Sequence, residues 1–80
     1  MRILDEKTDG SLSKVILYLT KAEALELKDS LEMIIRENNT GRHEHISSQD
    51  YLKEVTICLY DPDSLEKFNE RSKKLILHDT

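Results

Sequence analysis

With 80 residues, 38% hydrophobic and 35% charged, and with Gly 2 and Pro 1, the chain has the composition of one folded domain with a thin core, not of a disordered or low-complexity segment. Lys+Arg 12 against Asp+Glu 16 gives a net charge of -4, which repels a phosphate backbone unless the cations gather on one face, so nucleic acid is not an expected partner. One cysteine, Cys58, excludes an intramolecular disulfide and a cysteine-based zinc site and fits a reducing, cytoplasmic compartment; the longest apolar run, Val15–Leu19, predicts neither a leader nor a membrane span.

In chain order, the first firm strand pattern is Ser13-Lys14-Val15-Ile16-Leu17-Tyr18-Leu19-Thr20, β-branched and aromatic and preceded by the turn-forming Thr8-Asp9-Gly10-Ser11. Arg2-Ile3-Leu4-Asp5 is its candidate hairpin partner. Thr20-Lys21-Ala22-Glu23 is a capping box, which predicts a helix from that point. Ala24, Leu27, Leu31, Ile34 and Ile35 fall on one stripe at helical period, with Glu23, Glu26, Ser30 and Glu37 off it. Asn38-Asn39-Thr40-Gly41 supplies residues that accept left-handed geometry, so the helix should stop at Asn38 or Asn39.

Arg42-His43-Glu44-His45-Ile46-Ser47 reads as a short polar edge strand and is followed by a turn over Ser47–Asp50. Glu54-Val55-Thr56-Ile57-Cys58-Leu59-Tyr60 is a second strand, in which Val55, Ile57 and Leu59 share one side and Thr56, Cys58 and Tyr60 the other. Asp61-Pro62-Asp63-Ser64 predicts a helix start, with Leu65, Phe68, Ser72, Leu75 and Ile76 on one face and Lys73 and Lys74 late in the helix. The expected architecture is α+β in ββαββα order, a mostly antiparallel sheet of about four strands with two helices on one face.

If Val15, Leu17 and Leu19 join Val55, Ile57 and Leu59 under the helices, the opposite side of the sheet carries Ile16, Tyr18, Thr56, Cys58 and Tyr60. A half-solvated sheet normally shows charge there, whereas these residues resemble an interface, so the expected partner is a second copy or another protein. The competing expectation is that a helix covers each side and these residues are core. Leu25 and Met33 lie off the main stripe of the first helix and are candidates for a smaller contact.

His43-Glu44-His45 is the one segment with a metal-like spacing, because residues two apart on a strand project to the same side; His78, Glu37 or Asp50 would have to complete the shell. Catalytic parts are missing. Cys58 sits between Ile57 and Leu59 as a small hydrophobe, and no glycine-rich phosphate loop, nucleophile elbow or zinc-hydrolase pattern occurs, so neither enzyme activity nor a cofactor is expected. Lys67, Arg71, Lys73 and Lys74 alternate with Asp63, Glu66 and Glu70, the pattern of a solvated helix face. The sequence therefore favours a non-enzymatic interaction or regulatory module that forms a homodimer, with a metal-binding protein using His43 and His45, and an acidic inhibitor that imitates nucleic acid, as the alternatives.

Overall fold

Thr20 opens the longest helix of the protein through the two reciprocal bonds that its sequence predicts. In a computed structural model that describes residues 1–38 and 40–80, the elements run β1 (Leu4–Asp5), β2 (Gly10–Ser11), α1 (Lys21–Glu37), β3 (His43–Ser47), β4 (Glu54–Cys58) and α2 (Glu70–His78). The class is α+β, but the sheet is not the one expected. The strands form two separate two-stranded antiparallel sheets, β1 with β2 and β3 with β4. The chain divides into two compact units, Met1–Leu17 with Asp61–Thr80, and Tyr18–Tyr60.

In the unit Tyr18–Tyr60, the Thr20 hydroxyl accepts from the Glu23 N–H (3.2 Å) and the Glu23 carboxylate accepts from the Thr20 N–H (2.8 Å). These bonds satisfy donors that a helix start leaves open. At the other end Asn38 is left-handed at φ 47 and its N–H reaches the Ile35 carbonyl, as the asparagine stop signal requires. Asn39, the other stop residue, lies outside the described residues. β3 then pairs with β4 from His43↔Cys58 to Ser47↔Glu54, closed by a loop in which Ser48 N–H donates to Lys53 C=O and Tyr51 N–H to Ser48 C=O.

Ile34 and Ile46, 3% and 4% exposed, form the centre of this unit, and β3 lies against α1. The helix, however, turns a different stripe to the core than its apolar residues predict. Glu23 and Ile34 are buried and Leu27 and Ser30 half-buried, while Ala24, Leu31 and Ile35 are exposed. Glu23 is the physical reason: its second oxygen accepts from the Gln49 N–H (2.9 Å), and a carboxylate tied to the hairpin loop fixes the rotation of the helix about its axis.

The other unit corrects three expectations. Arg2–Asp5 has a hairpin partner, but it is Gly10–Ser11, in register Leu4↔Ser11 and Asp5↔Gly10 and extended by Leu12 N–H to Ile3 C=O. Local bonds from Lys7 N–H to Asp5 and from Gly10 N–H to Thr8 fold the tight turn between them, so the strand partner is used up before residue 13. Residues 14–20 consequently adopt no regular secondary structure, and the strand expected there does not form.

The third correction is the start of α2, which is Glu70 and not Pro62. Asp61 accepts from Asp63 N–H through its side chain and from Ser64 N–H through its carbonyl, and Phe68 N–H donates to Leu65 C=O, so 61–68 folds as consecutive turns. The true cap is Asn69, whose side chain accepts from Ser72 N–H (2.8 Å). Leu75 and Ile76 are the buried residues of this unit. Arg2 donates to the Ile76 carbonyl (3.1 Å) at the helix end, where positive charge opposes the dipole, and Arg71 holds Asp9 of the β1–β2 turn (3.1 Å).

Candidate functional site

The register of β4 determines what this strand offers to a partner. Because the Ser48–Lys53 bond closes the ladder, the two-residue repeat of an antiparallel pair directs the backbone groups of Val55 and Ile57 toward β3 and those of Glu54, Thr56 and Cys58 the other way. Among the described residues no other strand pairs with β4, so that second edge is open. An open edge is a template for another extended chain.

Of the five residues expected to share one sheet face, the structure places Thr56 and Cys58 on β4 and Tyr60 two residues past its end. Thr56 is exposed, Cys58 and Tyr60 half-buried. Burial pushes the Cys58 thiol up from its ordinary value, partly offset by the Gly41 N–H, and the thiol donates to the Leu59 carbonyl (3.4 Å); it is a packed group and not an activated nucleophile. Ile16 and Tyr18 lie on the irregular segment 14–20, not on a strand beside β4. Their side chains are 76% and 90% exposed, and Val15, Leu17 and Leu19 are exposed as well. Among the described residues, no backbone–backbone hydrogen bond joins residues 13–19 to the rest of the chain. The segment thus combines strand-forming residues, bare apolar side chains and unpaired backbone groups.

His43 and His45 do project to one side of β3, as the two-residue spacing predicts, with ring centroids 6.5 Å apart and planes 14° from parallel. His45 Nδ1 lies 2.6 Å from Glu54 Oε1 and 2.9 Å from Thr56 Oγ1, its neighbours across the strand pair. Two of the residues expected to complete a shell have other partners. Glu37 pairs with Arg42, and the Asp50 carboxylate accepts from Ser48 Oγ (2.5 Å) and Leu52 N–H (3.0 Å). His78 is on α2. Among the described residues, no three His, Cys, Asp or Glu side chains group in a way that would hold a metal ion.

Two features of this unit were not legible beforehand. The Ser48–Lys53 loop presents Tyr51 and Leu52 to solvent, 84% and 78% exposed, with Tyr51 at φ 61. An open cleft of about 410 Å³ lies between this loop and the start of α1, lined by Ala22, Glu23, Glu26, Ser47, Gln49 and Tyr51 among others. Glu23 is held below the usual carboxylate range by the N–H groups of Thr20 and then Gln49, against the opposing effect of burial. It is therefore a structural anion whose oxygens are already bonded. The Ser-x-Asp spacing of Ser48 and Asp50 was the available signal for the loop; nothing in the local sequence signals Gln49 as a partner for Glu23.

No family model matches this chain, and no curated protein or solved structure matches it. No helix is long and apolar enough to cross a membrane.

Proposed function

We propose that this protein is a non-enzymatic interaction module that associates with a second copy by strand addition, segment 14–20 of one copy lying along the open edge of β4 of the other. The observation that carries this reading is the exposure of Val15–Leu19, an unbroken apolar run with no backbone partner among the described residues. Extended peptides bind sheet edges through main-chain bonds, while alternate side chains enter contacts on the two faces. In such a pairing Ile16 and Tyr18 come beside Thr56, Cys58 and Tyr60, so the five residues form one surface across two chains. The exposed side chains from Val15 to Leu19 carry several hundred Å² of largely apolar surface, the scale of one partner's share (~800 Å²) in a standard interface. A cytoplasmic setting is part of this reading, since the thiol of Cys58 stays reduced there.

Proline substitution tests it, because proline removes a backbone donor but is tolerated on an edge. Ile16→Pro and Thr56→Pro each affect a backbone group that faces no partner within the chain, so circular dichroism should stay as in the wild type. Sedimentation equilibrium should show self-association weakened at least tenfold in each. Unchanged association in both variants would overturn the reading.

A further inference from the structure

We infer that α1 carries a second, separate contact surface, an antiparallel helix pair formed with another copy of this chain through Ala24, Lys28, Leu31 and Ile35. The inference stands on α1 alone and does not depend on strand addition. The rotation fixed by Glu23 is its origin: α1 presents Glu23, Leu27, Ser30 and Ile34 to its own unit and leaves the adjacent stripe uncovered, with Leu31 40% and Ile35 66% exposed. These four positions follow one another at spacings of four, three and four, the seam of a two-helix contact.

The seam is complementary to itself when reversed. Antiparallel alignment sets Ala24 opposite Ile35 of the other copy, small against large, and lays the aliphatic stem of Lys28 against the other Leu31. The Lys28 ammonium then meets Glu32 of the other copy in addition to Glu32 of its own helix, which lies 3.8 Å away. Parallel alignment would instead set lysine against lysine and leave alanine facing alanine. Charge and shape therefore both select a second copy in antiparallel orientation. The contact from 24 to 35 is about 18 Å long, so it is weak and concentration-dependent.

Sedimentation equilibrium of the full chain over a wide concentration range reads it, in the natural sequence and in the Ile16→Pro background. Ile35→Glu should reduce association at least tenfold in both backgrounds. Lys28→Glu alone should weaken it by facing two carboxylates, and Lys28→Glu with Glu32→Lys should restore it, because the swapped charges still complement each other across the two-fold axis. Ile35→Glu without effect in both backgrounds, or a double swap that fails to restore what Lys28→Glu removes, would overturn the helix pair. Ile16→Pro should leave residual association that Ile35→Glu removes, and complete loss of association by Ile16→Pro alone would likewise overturn the helix pair.

Discussion

Residues 15–19 are apolar without a break and residues 54–58 alternate, and both are rich in strand-forming side chains, yet only the second is a strand. The difference lies in their neighbours. β4 follows β3 through a six-residue loop whose own bonds, Ser48 to Asp50, Lys53 N–H to Ser48 Oγ and Leu52 N–H to Asp50, bring the two strands into register. Segment 14–20 has a used-up hairpin on one side, where Leu4–Asp5 already pairs with Gly10–Ser11, and a helix cap on the other. Strand-forming composition thus gives a segment the capacity to pair, and turn chemistry decides whether a partner arrives.

The sharpest way to break this contrast is a proline in each segment. Ile57→Pro removes a donor directed at β3 and a half-buried side chain, and should cost at least about 2 kcal/mol, enough to unfold much of the unit in a urea titration. Ile16→Pro should leave the same titration unmoved under dilute conditions. Truncation comes next. Ile46→Ala, at the buried position of β3, should cost about 2–5 kcal/mol, whereas Ile16→Ala, where the side chain is mostly exposed, should stay within about 0.5 kcal/mol. Equal losses in the two would mean that segment 14–20 is part of the core.

A smaller effect tests the loop that supplies β4 with its partner. Tyr51 is left-handed with its side chain in solvent, so Tyr51→Gly should raise stability by about 1 kcal/mol, read as an upward shift in urea midpoint. The gentlest probe is pH. Glu23 titrates below its ordinary value of 4.5 when folded, so it contributes fully above the unfolded value, and that contribution is lost as pH falls through the folded one. Asp50 and Glu66 are lowered too, so Glu23→Gln should flatten the acid limb of a melting-temperature profile in part only, and should also lower the melting temperature at neutral pH, because an amide leaves one of the two N–H groups without an acceptor.

Local signals carried the legible part of the fold. The Thr20–Glu23 box located the start of α1, Asn38 its end, and the alternation of 54–58 located β4; the polar run 43–47 was readable as an edge strand. Competing local bonds hid the rest. Asp61-Pro62 resembles a helix start, but the Asp61 side chain and carbonyl both accept from the residues that follow, and Asn69 takes over as the cap. The face of α1 was misplaced because helical periodicity weighs apolar side chains and has no means of anticipating that a glutamate bonds to Gln49, 26 positions away. The same long-range bond explains why the candidate site was only partly legible. The pairing of His45 with Thr56 followed from adjacent strands, whereas Ile16 and Tyr18 form no strand because Leu4–Asp5 pairs with Gly10–Ser11 instead.

Glu23 also couples the start of α1 to the hairpin loop at one corner of its unit. Since a single carboxylate receives the amide of Thr20 with one oxygen and that of Gln49 with the other, a turn of the Glu23 side chain away from this corner frees both amides at once. The two amides should accordingly exchange their hydrogens for deuterium at matching rates, although they lie far apart in sequence.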